Sequence, residues 1–340
     1  MEVGVIGIGG FASKVIEKII EHPDLHILYG FHPDSNKIKQ WDNKVGTSSL
    51  EDLILSERVE AVFVLTPNHL HADYVIKAIQ ARKHVFVEKP LAHTLKDAER
   101  IIYVLKKNPV RFMVGHNFRR KPCYRKIKEL INSGCLGRIV NVTINHSHGA
   151  IFTLPESSWR KKVEFHPEGP LSTVGIHFFD LLHYWFGKIS SLDAIISNVA
   201  GKSSAPDANA VMILLENGGS VFLQTNYCQC SESTLYIFGT EGTIYCDRNN
   251  LALRMGRDHD RTQSIPQPIN LPNDNSLEEE IDEFYKNIVD DYPIETGSFE
   301  AFNAMIILDA CNVSHNEKRK VYLKEYKQYF SEDIKFNNPV

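Results

Sequence analysis

The chain has 340 residues, 43% of them hydrophobic and 24% charged, a balance that fits a soluble globular protein with room for two separate cores. A formal net charge of −4 supplies no basic field for nucleic acid or an anionic membrane surface, and no apolar run is long enough to cross a bilayer. The N-terminus enters a strand almost at once, without a basic region or a signal-like apolar stretch, so a cytoplasmic location is expected.

Val3 to Ile6 reads as a short apolar strand that ends in a glycine turn, Gly7-Ile8-Gly9-Gly10-Phe11-Ala12. Phe11, Val15, Ile16, Ile19 and Ile20 then recur at helical spacing, and Pro23 stops the helix. Leu25 to Phe31 is the second strand. Leu50, Leu53 and Ile54 mark a short helix behind Ser48 or Ser49 as N-cap. Ala61 to Leu65 is an uninterrupted apolar strand, His71 to Gln80 a helix, and His84 to Val87 another strand. Thr94-Leu95-Lys96-Asp97 resembles a capping box and opens a helix through Val104, and Arg111 to Val114 is a further strand. Apolar strands that alternate with helices predict a parallel sheet covered on both faces, an α/β doubly wound nucleotide-binding domain over residues 1–120.

The pattern then changes. A helix from Pro122 to Ser133 leads into a strand from Ile139 to about His146, a polar irregular stretch to Pro170, and a strongly apolar helix near Gly175 to Phe186. Strands follow without intervening helices: Leu192–Asn198, Ala210–Leu215, Ser220–Asn226, Thr234–Phe238, Thr243–Cys246 and Leu251–Met255, with turns at Asn217-Gly218-Gly219 and Glu241-Gly242. Two helices close the chain, Leu277–Val289 and Phe299–Val313. This predicts an α+β domain over residues 121–340 with a largely antiparallel sheet. Six cysteines are scattered, and the one close pair, Cys228 and Cys230, falls on a predicted strand with no second pair or histidine cluster beside it. They read as reduced buried thiols, and no metal site is expected.

Four groups of residues carry chemistry. In the glycine turn, Gly7 permits the tight turn, Gly9 lets the backbone approach a pyrophosphate, and Ala12 packs helix on strand with the helix N-terminus facing the phosphates; Gly10 and Phe11 complete the candidate cofactor-binding turn. At the end of the second strand His32 stands where an Asp or Glu reads a ribose 2′-hydroxyl. With Asn36 and Lys37 close by, NAD and NADP both remain open, and Asp34 is either turned inward or a solvated turn residue. Thr66-Pro67-Asn68 through His71 borders the nicotinamide half of a cofactor or is an Asn/Pro turn into a helix. Glu88-Lys89-Pro90 ends a buried strand, and a desolvated lysine there can position and polarise a hydroxyl or carbonyl. Farther on, a helix from about Ser172 sets Thr173 and His177 on one face, with Asp180 near His177. That is a histidine oriented as a general base, or a core histidine on an apolar helix.

Taken in order along the chain, these motifs resemble the Gfo/Idh/MocA family, the relatives of glucose–fructose oxidoreductase and inositol dehydrogenase. Arg119 and Pro122, Leu136-Gly137-Arg138-Ile139, Gly175-Ile176-His177 with Asp180, and Phe238-Gly239-Thr240-Glu241-Gly242-Thr243 also match. The resemblance implies a Rossmann domain followed by an open-sheet domain, and NAD(P)-dependent hydride transfer at a ring hydroxyl carbon of a sugar, nucleotide sugar or cyclitol. It implies that Lys89 bonds the nicotinamide ribose and the reacting hydroxyl, that His177 takes the hydroxyl proton, and that Glu88 and Pro90 shape the loop around Lys89. It also implies a substrate side near Arg119, Trp159 and Arg160, and a homodimer or homotetramer built on the open sheet. Arg160, Lys161 and Lys162 are read equally as an anion site or a solvated basic turn.

Two departures from the family pattern stand out. Thr173 replaces the Asp usually found one turn before the histidine, and Glu168-Gly169-Pro170-Leu171 replaces a run of glycines. Residues 175–180 have the flavour of dehydrogenases acting at the 3-position of UDP-N-acetylhexosamines. The alternatives are an inositol or free-hexose dehydrogenase and, in another class, a non-catalytic NAD(P)-binding sensor. Retention of Lys89 and His177 together favours an enzyme.

Overall fold

The apolar runs of the first third of the chain build a five-stranded sheet: β1 (Glu2–Ile6), β2 (His26–Phe31), β3 (Ala61–Val64), β4 (His84–Glu88) and β5 (Phe112–Gly115). All pairings are parallel, in the order β2-β1-β3-β4-β5. The computed structural model describes residues 1–34, 38, 49–248, 250–256 and 265–329. Every residue of β3 and β5 is buried, which is why these strands read as continuous rather than alternating apolar runs. Crossovers are made by α1 (Ala12–Glu21), α2 (Leu50–Leu55), α3 (His71–Gln80) and α4 (Leu95–Lys107). Two starts are capped as their residues predict: Ser49 Oγ accepts from the Asp52 amide and Thr94 Oγ1 from the Asp97 amide, each at 3.1 Å.

The chain divides into two compact units, the first of them holding residues 1–117 and 275–305. The sequence pattern predicts both closing helices in the second domain; the helix Ser276–Val289 instead belongs to the first unit. The reason is packing. Phe284 sets its ring edge-on to Phe63 at 5.4 Å and to Phe86 at 5.8 Å, and Ile281 joins the same core.

The second unit spans residues 118–274 and continues from Ile306. It carries α5 (Pro122–Asn132), with proline in its first turn, the single turn α6 (Ala150–Thr153), and α7 (Ile176–Phe186). Its sheet comprises β6 (Ile139–Ser147), β7 (Ile189–Ser197), β8 (Ala208–Leu215), β9 (Ser220–Asn226), β10 (Glu232–Gly239), β11 (Gly242–Asp247), β12 (Asn250–Met255), β13 (Gln267–Ile269) and β14 (Val321–Tyr322). The order is β13-β12-β11-β10-β6-β9-β8-β7-β14, antiparallel throughout except for the β6–β9 pair. Along β8, Val211, Ile213 and Leu215 are buried while Met212 and Leu214 are exposed, the alternation of a sheet with one covered face.

The short strands β13 and β14 had no sequence signal. Residues 227–231, which contain Cys228 and Cys230, are a bend between β9 and β10, not a strand. Cys230 is accordingly exposed and Cys135 and Cys228 are half-buried, so only Cys123, Cys246 and Cys311 are the buried thiols expected. Among the described residues no helix is long and apolar enough to cross a membrane, and no group of three or more His, Cys, Asp or Glu is placed to hold a metal ion.

Candidate active site

In the first unit the candidate residues gather at the carboxyl ends of β1, β3 and β4. The strand order reverses between β1 and β3, where ligands of open α/β sheets bind. Gly7 has φ +97°, and a Cβ there would lie 2.8 Å from the backbone of Leu65 and Thr66, so only glycine lets the turn pass this close to the loop after β3. Gly10 has φ +60° with open space where a side chain would project, and Gly9 and Gly10 are exposed. Helix α1 starts at the buried Ala12 with no side-chain cap and no acidic residue in its first turn. The Ala12 and Ser13 amides make only turn bonds to the Gly9 and Gly10 carbonyls, at 3.2 and 3.4 Å, and a helix N-terminus without a side-chain cap behind exposed glycines fits the pyrophosphate of a dinucleotide.

At the end of β2 the ring of His32 accepts the Asp34 amide at Nδ1, 2.9 Å away. A neutral His32 therefore carries its proton on Nε2 and offers a ribose a donor in place of a carboxylate acceptor. Asp34 is exposed, as a turn residue would be. Asn36 and Lys37 lie outside the described residues.

Thr66 and Asn68 are buried on the loop after β3, and Pro67 between them is partly buried. His71, at the start of α3, is buried and ties two loops together: Nε2 lies 2.8 Å from the Thr66 carbonyl and Nδ1 2.8 Å from the Pro90 carbonyl. Burial lowers its pKa to about 4, against the pull of the two carbonyls, so near neutrality the ring carries one N–H and donates to one of the two carbonyls while packing against the other. The Lys89–Pro90 peptide is cis. Lys89 itself is half-buried, less enclosed than the sequence suggests, and its amide donates to Glu88 Oε2 at 3.2 Å.

Glu88 closes β4 with its carboxyl inside. Gly115, its register partner on β5, leaves the space: a Cβ there would sit 3.1 Å from Oε1. Burial raises the Glu88 pKa from 4.5 to about 7, partly opposed by the Lys89 charge. The folded protein thus keeps a proton that the unfolded chain releases, so stability falls as pH rises from 4.5 to about 7, by roughly 3 kcal/mol in all. Glu88→Gln is expected to flatten this slope in denaturant titrations on either side of that window; an unchanged slope would assign it to other groups.

In the second unit the turn before α7 is not the regular helix the spacing predicts. Leu171–Gly175 is a π-helical turn, and the Ile176 amide reaches back to the Leu171 carbonyl. Gly169 begins it with φ +55°, and a Cβ there would lie 2.4 Å from the Pro206 carbonyl oxygen, so this glycine of the shortened glycine run is obligatory. His177 is buried at the start of α7, with its ring stacked on Phe118 at 4.0 Å and 11°. Thr173 is hydrogen-bonded to the Tyr227 hydroxyl. Burial raises the Tyr227 pKa, with Arg160 and Thr173 opposing it, so the phenol stays protonated near neutrality.

Around Tyr227 stand His148, stacked on it at 4.5 Å, and His166 at 5.9 Å. Trp159 sits edge-on to His166 at 5.3 Å, and the Arg160 guanidinium lies 4.9 Å over the Trp159 ring. His166 Nδ1 donates to the Arg160 carbonyl at 3.0 Å. Trp159, Arg160 and Thr173 are therefore brought to one cluster.

Two expectations change. Asp180, read as the orienter of His177, has both carboxylate oxygens engaged by Arg119, Nε to Oδ2 and Nη2 to Oδ1, each at 2.7 Å. Arg119, expected toward substrate, is buried in that pair and lies over the Tyr184 ring. Lys161 is buried against Glu156 Oε1 at 2.6 Å, which leaves Arg160 and the exposed Lys162 of the basic turn. Phe118, His148, His166 and Tyr227 went unrecognised in the sequence. Their contacts join segments far apart in the chain, and no local spacing announces them.

Residues 1–116 match the model described as an oxidoreductase family with an NAD-binding Rossmann fold, and residues 124–245 match the GFO/IDH/MocA C-terminal domain. The chain is 26% identical over 340 residues to myo-inositol 2-dehydrogenase of Thermotoga maritima, covering 96% of this chain and 99% of that one. It is 30% identical over 226 residues to levoglucosan dehydrogenase of Pseudarthrobacter phenanthrenivorans, 58% of each chain. The fold is shared with the WlbA dehydrogenase of Bordetella pertussis, solved with NADH and UDP-GlcNAcA: TM-score 0.82, 21% identity, 95% of this chain and 97% of that chain. With a glycine turn shaped for a dinucleotide and both family domains matched in order, the chain belongs to the Gfo/Idh/MocA family of NAD(P)-binding oxidoreductases.

Proposed function

We propose that the protein is an NAD(P)-dependent dehydrogenase that oxidises a ring hydroxyl of a sugar or nucleotide sugar, or runs the reverse reduction. The observation that carries this reading is the pair of loops after β3 and β4, stapled by His71, which presents Lys89 at the sheet edge where a dinucleotide's nicotinamide half lies. When bound, the nicotinamide ring supplies the acceptor for the hydride that leaves the hydroxyl carbon.

In this reading the chain's own groups handle the other half of the chemistry. The Lys89 ammonium donates to the reacting oxygen and holds it in place. His177 takes the hydroxyl proton through an imidazole nitrogen, its ring plane fixed by Phe118. Thr173, hydrogen-bonded to the Tyr227 hydroxyl, puts a neutral hydroxyl one turn before that histidine, where the family pattern has Asp.

Support for a sugar ring comes from the relatives, whose names specify myo-inositol and levoglucosan. Support for a nucleotide sugar comes from Arg160, a cation on the Thr173 side of the second unit with no acidic partner among the described residues, and from the UDP-GlcNAcA bound in the structural relative.

The test is a panel of UDP-sugars, hexoses, anhydrosugars and inositols, offered with NAD or NADP and followed at the reduced-nicotinamide absorbance. Cofactor reduction by a sugar is the expected result, and reduction by a UDP-sugar in preference to free hexoses bears out the finer reading. Tight dinucleotide binding with no reduction by any member would sink it in favour of a sensor.

A further inference from the structure

At one edge of the nine-stranded sheet, a cavity of about 480 Å³ lies among the end of α7, the start of β7 and the residues that follow β14. All of its walls belong to the second unit. Its floor is apolar, with Ile189, Ile306 and Leu323 buried. Its rim is cationic: Lys188, Lys324 and Lys327 line it and are exposed. Among the described residues, the one carboxylate in the lining is Glu216. Among the described residues none of the three ammonium groups has a carboxylate within ion-pair distance.

The backbone holds this arrangement. Gly187, at φ +78°, ends α7 and turns the chain, and its amide donates to the His183 carbonyl at 2.9 Å. The Glu216 amide donates to the Lys188 carbonyl at 3.2 Å and so ties the two charged residues' backbones together. Tyr322 pairs with Ser191 on β7, which delivers Leu323 to the floor and Lys324 to the rim. Lys324 Nζ lies 5.1 Å over the Tyr322 ring. His183 faces the cavity from α7, and burial lowers its pKa to about 4, so it enters as a neutral ring with one N–H to donate.

We propose that this cavity is a second ligand site, separate from the dehydrogenase chemistry, which takes a small phosphate monoester with an apolar or ring-shaped body. Three ammonium groups against one carboxylate leave two positive charges, the complement of a phosphate dianion. Separate lysines suit a tetrahedral anion met from several sides, whereas a planar carboxylate is better matched by the guanidinium fork this rim lacks. The apolar floor gives the organic body somewhere to go, which a bare inorganic ion would leave unused. The volume lies in the range of small-molecule sites. Neither His177 nor Thr173 lines the cavity, so the proposal does not depend on the sugar reading.

The probe is phenyl phosphate, titrated calorimetrically into the full chain after saturation with whichever of NADH and NADPH it binds. Saturation first removes the dinucleotide turn as a competing phosphate site. The expected result is one saturable event, competed by inorganic phosphate and weakened about tenfold or more in the Lys324→Gln/Lys327→Gln variant. Both substitutions are at exposed positions and leave folding intact, which the unchanged dinucleotide affinity of the variant checks. Absence of saturable binding to the natural chain overturns the proposal. So does binding that the double variant retains in full, or binding that appears only when the dinucleotide is left out.

Discussion

Lys89→Ala is expected to lower turnover by about 10³-fold while changing dinucleotide affinity only a few-fold. β4 is buried along its apolar length, so the residue that follows Glu88 emerges at the carboxyl edge of the sheet beside the glycine turn's neighbouring loop. His71 fixes that loop against the Thr66 segment, which limits where the Lys89 ammonium can reach. In the proposed reading, dinucleotide affinity rests mainly on backbone groups around Gly7, Gly9 and Gly10 and on the α1 N-terminus, none of which the substitution touches. Loss of the ammonium therefore falls on the chemical step. Lys89→Arg is expected to rescue poorly, because a planar fork does not reproduce a compact three-donor ammonium. Single-turnover rates and NADH titrations of the same preparations separate the two effects. Turnover within a few-fold of the natural chain would remove Lys89 from the mechanism.

The features that were legible in the sequence are those set by neighbours in the chain. Continuous apolar runs at β3 and β4 announce buried parallel strands, Ser49 and Thr94 announce their helix starts through amides three residues on, and the glycine turn announces its left-handed positions. What escaped is set by distant partners. Ser276–Val289 has the pattern of an amphipathic helix whichever sheet it covers; its place with the first unit depends on Phe63 and Phe86, about two hundred residues earlier. The Thr173–Tyr227 bond joins residues 54 apart, so the periodicity that placed Thr173 on the face of His177 had no way to reveal its partner. The π-helical turn at Leu171–Gly175 widens a segment whose residues read as ordinary helix, and its cause is again remote: the Gly169 backbone must pass close to Pro206. Tyr227-Cys228-Gln229-Cys230 has strand-like composition, but the ladder with β6 stops at Asn226 and the chain bends.

Arg119→Leu is expected to destabilise the protein by about 3–5 kcal/mol, well beyond the effect of an ordinary surface substitution. Both partners of the pair are inside: the Arg119 side chain is 8% exposed and that of Asp180 is 1% exposed. Their two parallel bonds at 2.7 Å offset the cost of desolvating two charges. Removing the guanidinium leaves a buried carboxylate on α7 that must either stay charged without its partner or take up a proton, and both cost stability. Replacing both groups removes the orphaned charge, so Arg119→Leu/Asp180→Leu should recover much of the loss even though two bonds are gone. Denaturant unfolding followed through Trp185, which sits on α7 and packs edge-on against Tyr124, reports on this region directly. The same variants test the role of Asp180 near His177. If the pair acts only as a structural clamp, the double variant regains both stability and turnover; if Asp180 also orients His177, stability returns without turnover. A loss below about 1 kcal/mol for Arg119→Leu would mean that solvent reaches the pair and screens it as a surface contact.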